Sequence, residues 1–236
     1  MKKNTLVASS ILALGIIGMS TPITSVFAES ITYQSVNNST DINGENPENI
    51  VLDQGEFDSP INLSQYNYSF NNGDFNFGTG KVVFDYSSKS LIDLDEETDR
   101  YFNLKLPSEF KLISGKNNET VLKNAITASY KLPGKTDYTN FGVSNIDTSH
   151  KGQINFTLPK TALISTNQVT NIKVQIDFGK ILDDLALGSD YDYTQIIPNA
   201  KNGSYKFKGA VTSEDHFNVI PDGMTIGYTD DGEAVK

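Results

Sequence analysis

The stretch Gln153-Ile-Asn-Phe-Thr-Leu-Pro159 decides the fold class of this chain. Ile154, Phe156 and Leu158 occupy every second position, and polar side chains stand between them. Because successive side chains of a β-strand point to opposite faces of a sheet, this alternation predicts a strand with one apolar and one polar face. Pro159 has no amide hydrogen for a ladder and keeps Leu158 extended, so the strand is predicted to end there.

Five further segments repeat this alternation of apolar and polar side chains. Two of them also end in Leu-Pro, and the three Leu-Pro pairs follow one another at intervals of 26 residues. Prolines this far apart do not form a polyproline ligand, so the pairs are interpreted as strand terminators. The five segments are residues 81–86, 101–106, 126–132, 172–178 and 205–211.

Sheets with a single apolar face need a second layer to cover that face, and a second sheet is the simplest cover. The sequence therefore predicts an all-β, antiparallel β-sandwich. One short helix is expected at residues 179–187, and residues 121–125 suit either a helix or a strand. Asp231-Gly232 lies between residues 225–229 and 233–235, which predicts a C-terminal hairpin.

The N-terminus has the pattern of an export signal. Lys2 and Lys3 precede an uncharged, largely apolar run at residues 6–19, and Ala28 offers a small residue for cleavage. We expect residues 1–28 to be a signal peptide and the protein to be secreted. Residues 29–62 are poor in apolar side chains and are predicted to be a flexible polar leader, with an edge strand possible near residues 50–52. Residues 63–236 are predicted to form a single domain.

Composition excludes several kinds of chemistry and of attachment. The chain has 236 residues, a net formal charge of −10, no cysteine and no tryptophan. The acidic balance disfavours binding to nucleic acid or to anionic lipid. Without cysteine there is no thiol catalysis, cysteine-ligated zinc or lipid attachment at the signal. No second apolar run is long enough to form a transmembrane segment, so any surface association is expected to be non-covalent.

Alternating strands that end in Leu-Pro, in an acidic exported chain without cysteine, resemble the immunoglobulin-like sandwiches of Gram-positive surface adhesins. The resemblance covers about residues 63–228 and concerns pattern. It implies an immunoglobulin-like fold and a partner that is an extracellular protein or a cell-wall polysaccharide. The chain departs from these adhesins because it has no Leu-Pro-x-Thr-Gly sorting signal.

Residues for catalysis or cofactor binding are not evident in the sequence. It has no Gly-x-Ser-x-Gly elbow, and the two histidines, His150 and His216, do not form a His-x-x-x-His pair. Gly134-Lys-Thr136 lacks the earlier glycine of a phosphate-binding loop and is interpreted as a turn. We therefore predict a protein that is not an enzyme and has no catalytic residues.

Acidic clusters are the remaining source of chemistry. Carboxylates at Asp93, Asp95, Glu97 and Asp99 could hold Ca²⁺, although the cluster lacks the glycine and spacing of an EF-hand loop and also suits a solvated acidic turn. Asp190 and Asp192 form a second pair. Two facing carboxylates could instead serve a glycosidase.

Three functions are compatible with these observations. The first is a secreted, non-enzymatic bacterial surface or matrix protein that binds protein or polysaccharide. The second is an exported carbohydrate hydrolase that uses two acids among Asp93, Asp95, Asp190 and Asp192. The third is a fibre or toxin subunit that assembles by strand addition at sheet edges. The oligomeric state is left open.

Overall fold

The computed structural model of the protein describes a chain of strands with few helices. The described residues are 51–53, 55–65, 69–71, 74–76, 80–89, 99–160, 169–185, 192, 195–212, 215 and 224–234. The predicted signal peptide and residues 29–50 of the predicted leader lie outside them.

Fourteen strands are found among the described residues. They are β1 (Val51–Asp53), β2 (Glu56–Phe57), β3 (Asn62–Ser64), β4 (Ser69–Asn71), β5 (Asp74–Asn76), β6 (Lys81–Lys89), β7 (Arg100–Lys105), β8 (Ile126–Lys131), β9 (Thr139–Asn140), β10 (Ile146–Asp147), β11 (Gln153–Leu158), β12 (Val169–Asp177), β13 (Lys206–Thr212) and β14 (Thr225–Tyr228). The helices are α1 (Glu119–Asn124), α2 (Phe178–Leu185) and three short 3-10 helices at Ser108–Lys111, Lys116–Asn118 and Val143–Asn145.

The longer strands form two antiparallel sheets. In the first sheet the order is β1-β13-β7-β11-β10, and β14 lies beside β13. In the second the order is β2-β6-β12-β8-β9, and β3 lies beside β6. A separate hairpin joins β4 to β5. All six segments predicted from alternation are strands, which confirms the all-β class.

The core lies between the two sheets. Val82, Phe84 and Tyr86 of β6 are buried, as are Phe102 and Leu104 of β7. Aromatic rings meet across the layers: the ring centroids are 4.6 Å apart for Tyr86 and Phe102 and 5.9 Å apart for Phe84 and Phe207. The alternating apolar positions therefore face inward from both sheets, as expected for a sandwich.

Leu-Pro acts as a strand terminator in all three places. β7 ends at Lys105, β8 ends at Lys131 and β11 ends at Leu158, each directly before or at the leucine of the pair. Leu106 and Leu158 are buried, so these two leucines close the core as the chain leaves the sheet. Gly134 has a φ of 73° and forms a turn, as predicted.

The helices differ in number from the sequence prediction. The predicted helix at residues 179–187 is α2, which begins at Phe178 and buries Ile181 and Leu182. Residues 121–125 belong for the most part to α1, so the described chain has two α-helices and the prediction of one short helix was too low. The apolar spacing of Val121, Leu122 and Ala125 fits helix and strand alike, and packing of α1 near α2 decides between them.

The structure describes strands before residue 62, the predicted end of the leader. β1, β2 and β3 pair with long strands, and Phe57 and Ile61 are only 7% and 1% exposed. These strands have two or three residues each and are separated by acidic residues and Pro60, so no alternating run is long enough to reveal them.

In its described part, the C-terminus differs from the predicted hairpin. Residues 233 and 234 form no strand, residue 235 lies outside the described residues, and β14 pairs with β13, where Lys206 lies opposite Tyr228. On its other side, the Ile61 N–H donates to the Tyr228 carbonyl at 2.9 Å and the Asp230 N–H donates to the Ile61 carbonyl at 3.0 Å. These bonds join the two sheets along one side of the sandwich. Turn residues reveal that the chain reverses, but not which distant strand it joins.

Candidate anion-binding groove

The predicted calcium cluster falls mostly outside the described residues. Asp93, Asp95 and Glu97 lie outside the described residues. Asp99 is described, and it forms an ion pair with Lys160 with an N–O distance of 3.2 Å. No group of three or more His, Asp or Glu side chains within the described ranges could hold a metal. Asp190 and His216 also lie outside, and Asp192 is exposed.

His150 lies in a turn with Asp147 and Ser149. The Ser149 hydroxyl is 3.1 Å from His150 Nδ1, and the nearest Asp147 carboxylate oxygen is 3.7 Å from the same nitrogen. In a hydrolytic triad the serine and the acid contact opposite ring nitrogens. Here both contact Nδ1, so the three side chains do not form a triad.

Asp147 stabilises this turn through its carboxylate. Burial alone would raise its pKa, but hydrogen bonds from the Ser149 backbone N–H and hydroxyl, with His150 and Lys123 nearby, hold the pKa below its usual value. The Ser149 N–H donates to Asp147 Oδ1 at 2.8 Å, which is an Asx-turn. Asp147 therefore stabilises this turn, and its hydrogen bonds within the turn account for its lowered pKa.

A groove of about 500 Å³ lies on the outer face of the first sheet, where β7 ends and β13 and β14 run beside it. Four lysines contribute to its wall, and we call it the lysine groove. Its lining residues are Lys105, Leu106, Pro107, Ser108, Glu109, Lys201, Asn202, Ser204, Lys206, Lys208 and Tyr228.

The alternation that builds the core also places these lysines. Phe207 and Leu104 are fully buried, so their neighbours Lys206, Lys208 and Lys105 point to the outer face. Strand pairing then brings them together, because Lys208 lies directly opposite Lys105 in the ladder between β13 and β7. Three positive charges therefore converge at the end of one sheet.

The groove lysines form no ion pair with the acidic residues that the structure describes. Among the described residues, ion pairs join lysines only to Asp99 and Asp85, and neither pair involves a groove lysine. Burial, followed by repulsion from Lys151 and Lys208, lowers the pKa of Lys105. Of the nearby acids, Asp230 accepts a hydrogen bond from the Leu63 N–H at 2.8 Å, and Glu109, which also lines the groove, accepts one from the Ser108 hydroxyl at 3.0 Å.

One wall of the groove is aromatic and exposed. Tyr228 lies opposite Lys206 in the ladder and is 51% exposed, and Ile226 of the same strand is 43% exposed. A tyrosine ring supplies a large apolar face together with a polar hydroxyl, which suits a ligand that packs on one side and stays solvated on the other. The groove thus combines cations, an aromatic face and the hydroxyls of Ser108 and Ser204.

Sequence reasoning missed this site. The outward positions of Lys105, Lys206 and Lys208 follow from alternation, but the pairing of β7 with β13 links residues about one hundred positions apart. Lys201 comes from the loop before β13. No local motif marks such a cluster, and the only available signal was the presence of two lysines, at 206 and 208, on one face of a strand.

Comparisons with solved structures return domains of bacterial surface proteins. The collagen-binding domain of the surface protein RspB from Erysipelothrix rhusiopathiae is 12% identical, and the match covers 72% of this chain and 46% of that chain with a TM-score of 0.30. The partial N-terminal region of an enterococcal surface protein is 11% identical, with 79% and 49% covered and a TM-score of 0.37. The BSP domain of a biofilm-associated protein is 12% identical, with 72% and 29% covered and a TM-score of 0.31.

The matches span about half or less of the length of these solved chains. They belong to the class of surface proteins that the strand pattern resembles. No protein-family model and no curated protein matches the sequence. In the described part of the chain, no helix is long and apolar enough to cross a membrane.

Proposed function

We propose that this chain is a secreted, non-enzymatic bacterial surface or matrix protein that binds an extracellular protein or polysaccharide through its β-sandwich. The lysine groove is the observation that carries the proposal, because it gathers cations and an exposed tyrosine on a surface that folding does not require. Binding sites on sandwiches of this kind use side chains at the ends and edges of a rigid scaffold.

The carbohydrate-hydrolase alternative has less support from the described residues. It needs two facing carboxylates with a cleft between them. The lysine groove holds only one carboxylate, from Glu109, among its described lining residues. Of the four acids considered from the sequence, only Asp192 falls in the described ranges, and its backbone carbonyl accepts a hydrogen bond from the Gln195 N–H.

Strand addition also has less support. β9 and β10, at the edges of the two sheets, have two residues each. Short edge strands are a common defence against pairing with another chain. The opposite side of the sandwich is joined by the hydrogen bonds between Ile61 and residues 228 and 230.

The proposal is tested by retention. The exported protein, labelled and purified, is incubated with washed bacterial cells and with immobilised extracellular proteins and polysaccharides, and the bound fraction is measured after washing. We expect saturable retention on at least one of these surfaces. Recovery of the protein in the wash from every surface would contradict the proposal.

A further inference from the structure

We infer that the lysine groove binds a polyanionic polysaccharide, one whose sugar rings carry sulfate or carboxylate groups. The inference rests on the proposed function and specifies its ligand. Four features of the groove lead to it: like charges without an ion pair among the described residues, their spacing, the exposed Tyr228 and the hydroxyl-bearing wall.

The charges work against folding. Lys105 and Lys208 occupy directly opposite positions, where side chains lie about 5 Å apart and like charges destabilise a sheet. The chain has 29 acidic residues against 19 basic ones, so its composition does not force two lysines into opposite positions. A polyanion that binds the folded state would offset the repulsion and stabilise the protein.

The spacing suits an extended ligand. Lys206 and Lys208 are two residues apart on one face, which places them about 7 Å apart along β13. Lys105 extends the positive surface sideways onto β7, and Lys201 extends it beyond the start of β13. A single small anion cannot reach all four, whereas a polymer with repeating charges can.

The chemistry of the lysines agrees with a hydrated polymer. Lys201 and Lys206 are exposed, so their ammonium groups stay in contact with water. Lysine acts as a hydrated point charge, while a buried, planar anion site would favour the fork of arginine. All four cations lining this groove are lysines.

A saccharide also explains the other wall. The exposed ring of Tyr228 offers an apolar face against which a sugar ring can lie, and Ser108, Asn202 and Ser204 can hydrogen bond to sugar hydroxyls. An anionic phospholipid membrane would meet the same lysines but offers no sugar ring to the face of Tyr228. A polymer of acidic side chains alone, such as polyglutamate, has no ring for Tyr228 to stack on.

Heparin, a sulfated polysaccharide, is a suitable probe. Its affinity for the full exported chain is measured by surface plasmon resonance at low and at physiological salt, beside neutral dextran and polyglutamate. The test variant carries Lys105→Gln, Lys206→Gln and Lys208→Gln. The matched control carries Lys131→Gln, Lys135→Gln and Lys173→Gln, which removes the same charge from the other sheet and the loop after β8; Lys131 and Lys173 lie over the Tyr138 ring there.

We expect the test variant to bind heparin about tenfold more weakly or worse, and the control to stay within about threefold of the unmodified chain. Dextran should not bind. Tyr228→Ala should weaken heparin binding by several fold and leave any polyglutamate binding unchanged. Circular dichroism should show that each variant keeps its strand content.

Several outcomes would overturn the inference. Equal losses in the test and control variants would indicate non-specific attraction, and binding of polyglutamate as tight as that of heparin with a silent Tyr228→Ala would indicate an acidic polypeptide. If the unmodified chain does not bind heparin, and the test variant is retained on cells as strongly as the unmodified chain, the groove is not the binding site. The proposed function would still stand in that case. Absence of retention on every surface would refute the proposed function itself.

Discussion

Removal of one oxygen atom from the core should destabilise the whole sandwich. Tyr86 is fully buried in β6 of the second sheet, and its hydroxyl contacts two other parts of the fold. The Gly55 N–H donates to it at 2.9 Å, and the hydroxyl donates to the Gly209 carbonyl in β13 at 3.4 Å. Tyr86→Phe keeps the ring in place against Phe57 and Phe102 and deletes these two bonds.

The expected loss of stability follows from the Gly55 N–H, which would lose its hydrogen-bond acceptor. A hydrogen bond contributes about 1 kcal/mol net, and a buried donor without a partner costs a further 1–3 kcal/mol or so. Because Gly55 is buried, its N–H has no route to bulk water in the variant. We expect the free energy of unfolding to fall by about 2 kcal/mol, and Tm to fall by about 4–8 °C for a domain of this size.

Urea denaturation of the exported chain, followed by circular dichroism, measures the loss. The denaturant midpoint should decrease with an unchanged slope, since the surface exposed on unfolding is the same. Tyr138→Phe is the control, because Tyr138 is 38% exposed and should change stability by less than about 0.5 kcal/mol. A Tyr86→Phe protein as stable as that control would refute the assignment of Tyr86 as a link between the sheets.

Three further predictions concern other parts of the sandwich. A Cβ at Gly227 would lie 2.7 Å from the Ile61 side chain and 2.8 Å from the Phe57 ring, so Gly227→Ala should lower the denaturant midpoint by the equivalent of about 1–3 kcal/mol, and an unchanged midpoint would show that the contact is loose. Burial, together with the charges of Glu109, Asp231 and Glu233, raises the pKa of Tyr205 to about 12, although the Ala234 N–H donates a hydrogen bond to its hydroxyl. The stability that neutral Tyr205 contributes should therefore be complete below pH ~10 and be lost as the pH rises towards 12. Absorbance titration should show a late tyrosinate that Tyr205→Phe lacks. Lys105→Gln relieves repulsion from Lys208 and Lys151, so it should raise or preserve the unfolding midpoint while it weakens heparin binding, and a large loss of stability would mean that Lys105 has a structural role instead.

The alternation of apolar and polar residues predicts the long strands well, because each long strand contains a complete alternating run. Ile172, Val174 and Ile176 alternate with polar residues over a whole strand, and their burial in β12 follows from period alone. The three Leu-Pro pairs also act locally, since proline removes a donor wherever it stands. These elements need no knowledge of the rest of the chain.

The remaining features depend on distant partners. β2 has two residues, so the burial of Phe57 follows from its pairing with β6 and its contact with Phe84, whose ring centroid is 5.4 Å away. The choice of β13 as the partner of β14 is likewise non-local. The lysine groove depends on both the pairing and the loop that carries Lys201, so its residues could be assigned to an outer face from the sequence but not to one site.

The bonds at Ile61 also give the sandwich a direction in which it resists force. Ile61 and Thr229 form a parallel bridge, so tension between the chain before Ile61 and the chain after Asp230 acts along the bridge. In that geometry the bonds from Ile61 to residues 228 and 230 bear the load together instead of opening one after another. Forced unfolding is governed by the barrier to the first rupture, and sharing the load raises that barrier. A protein that holds a polymer against moving fluid would gain mechanical endurance from this one bridge.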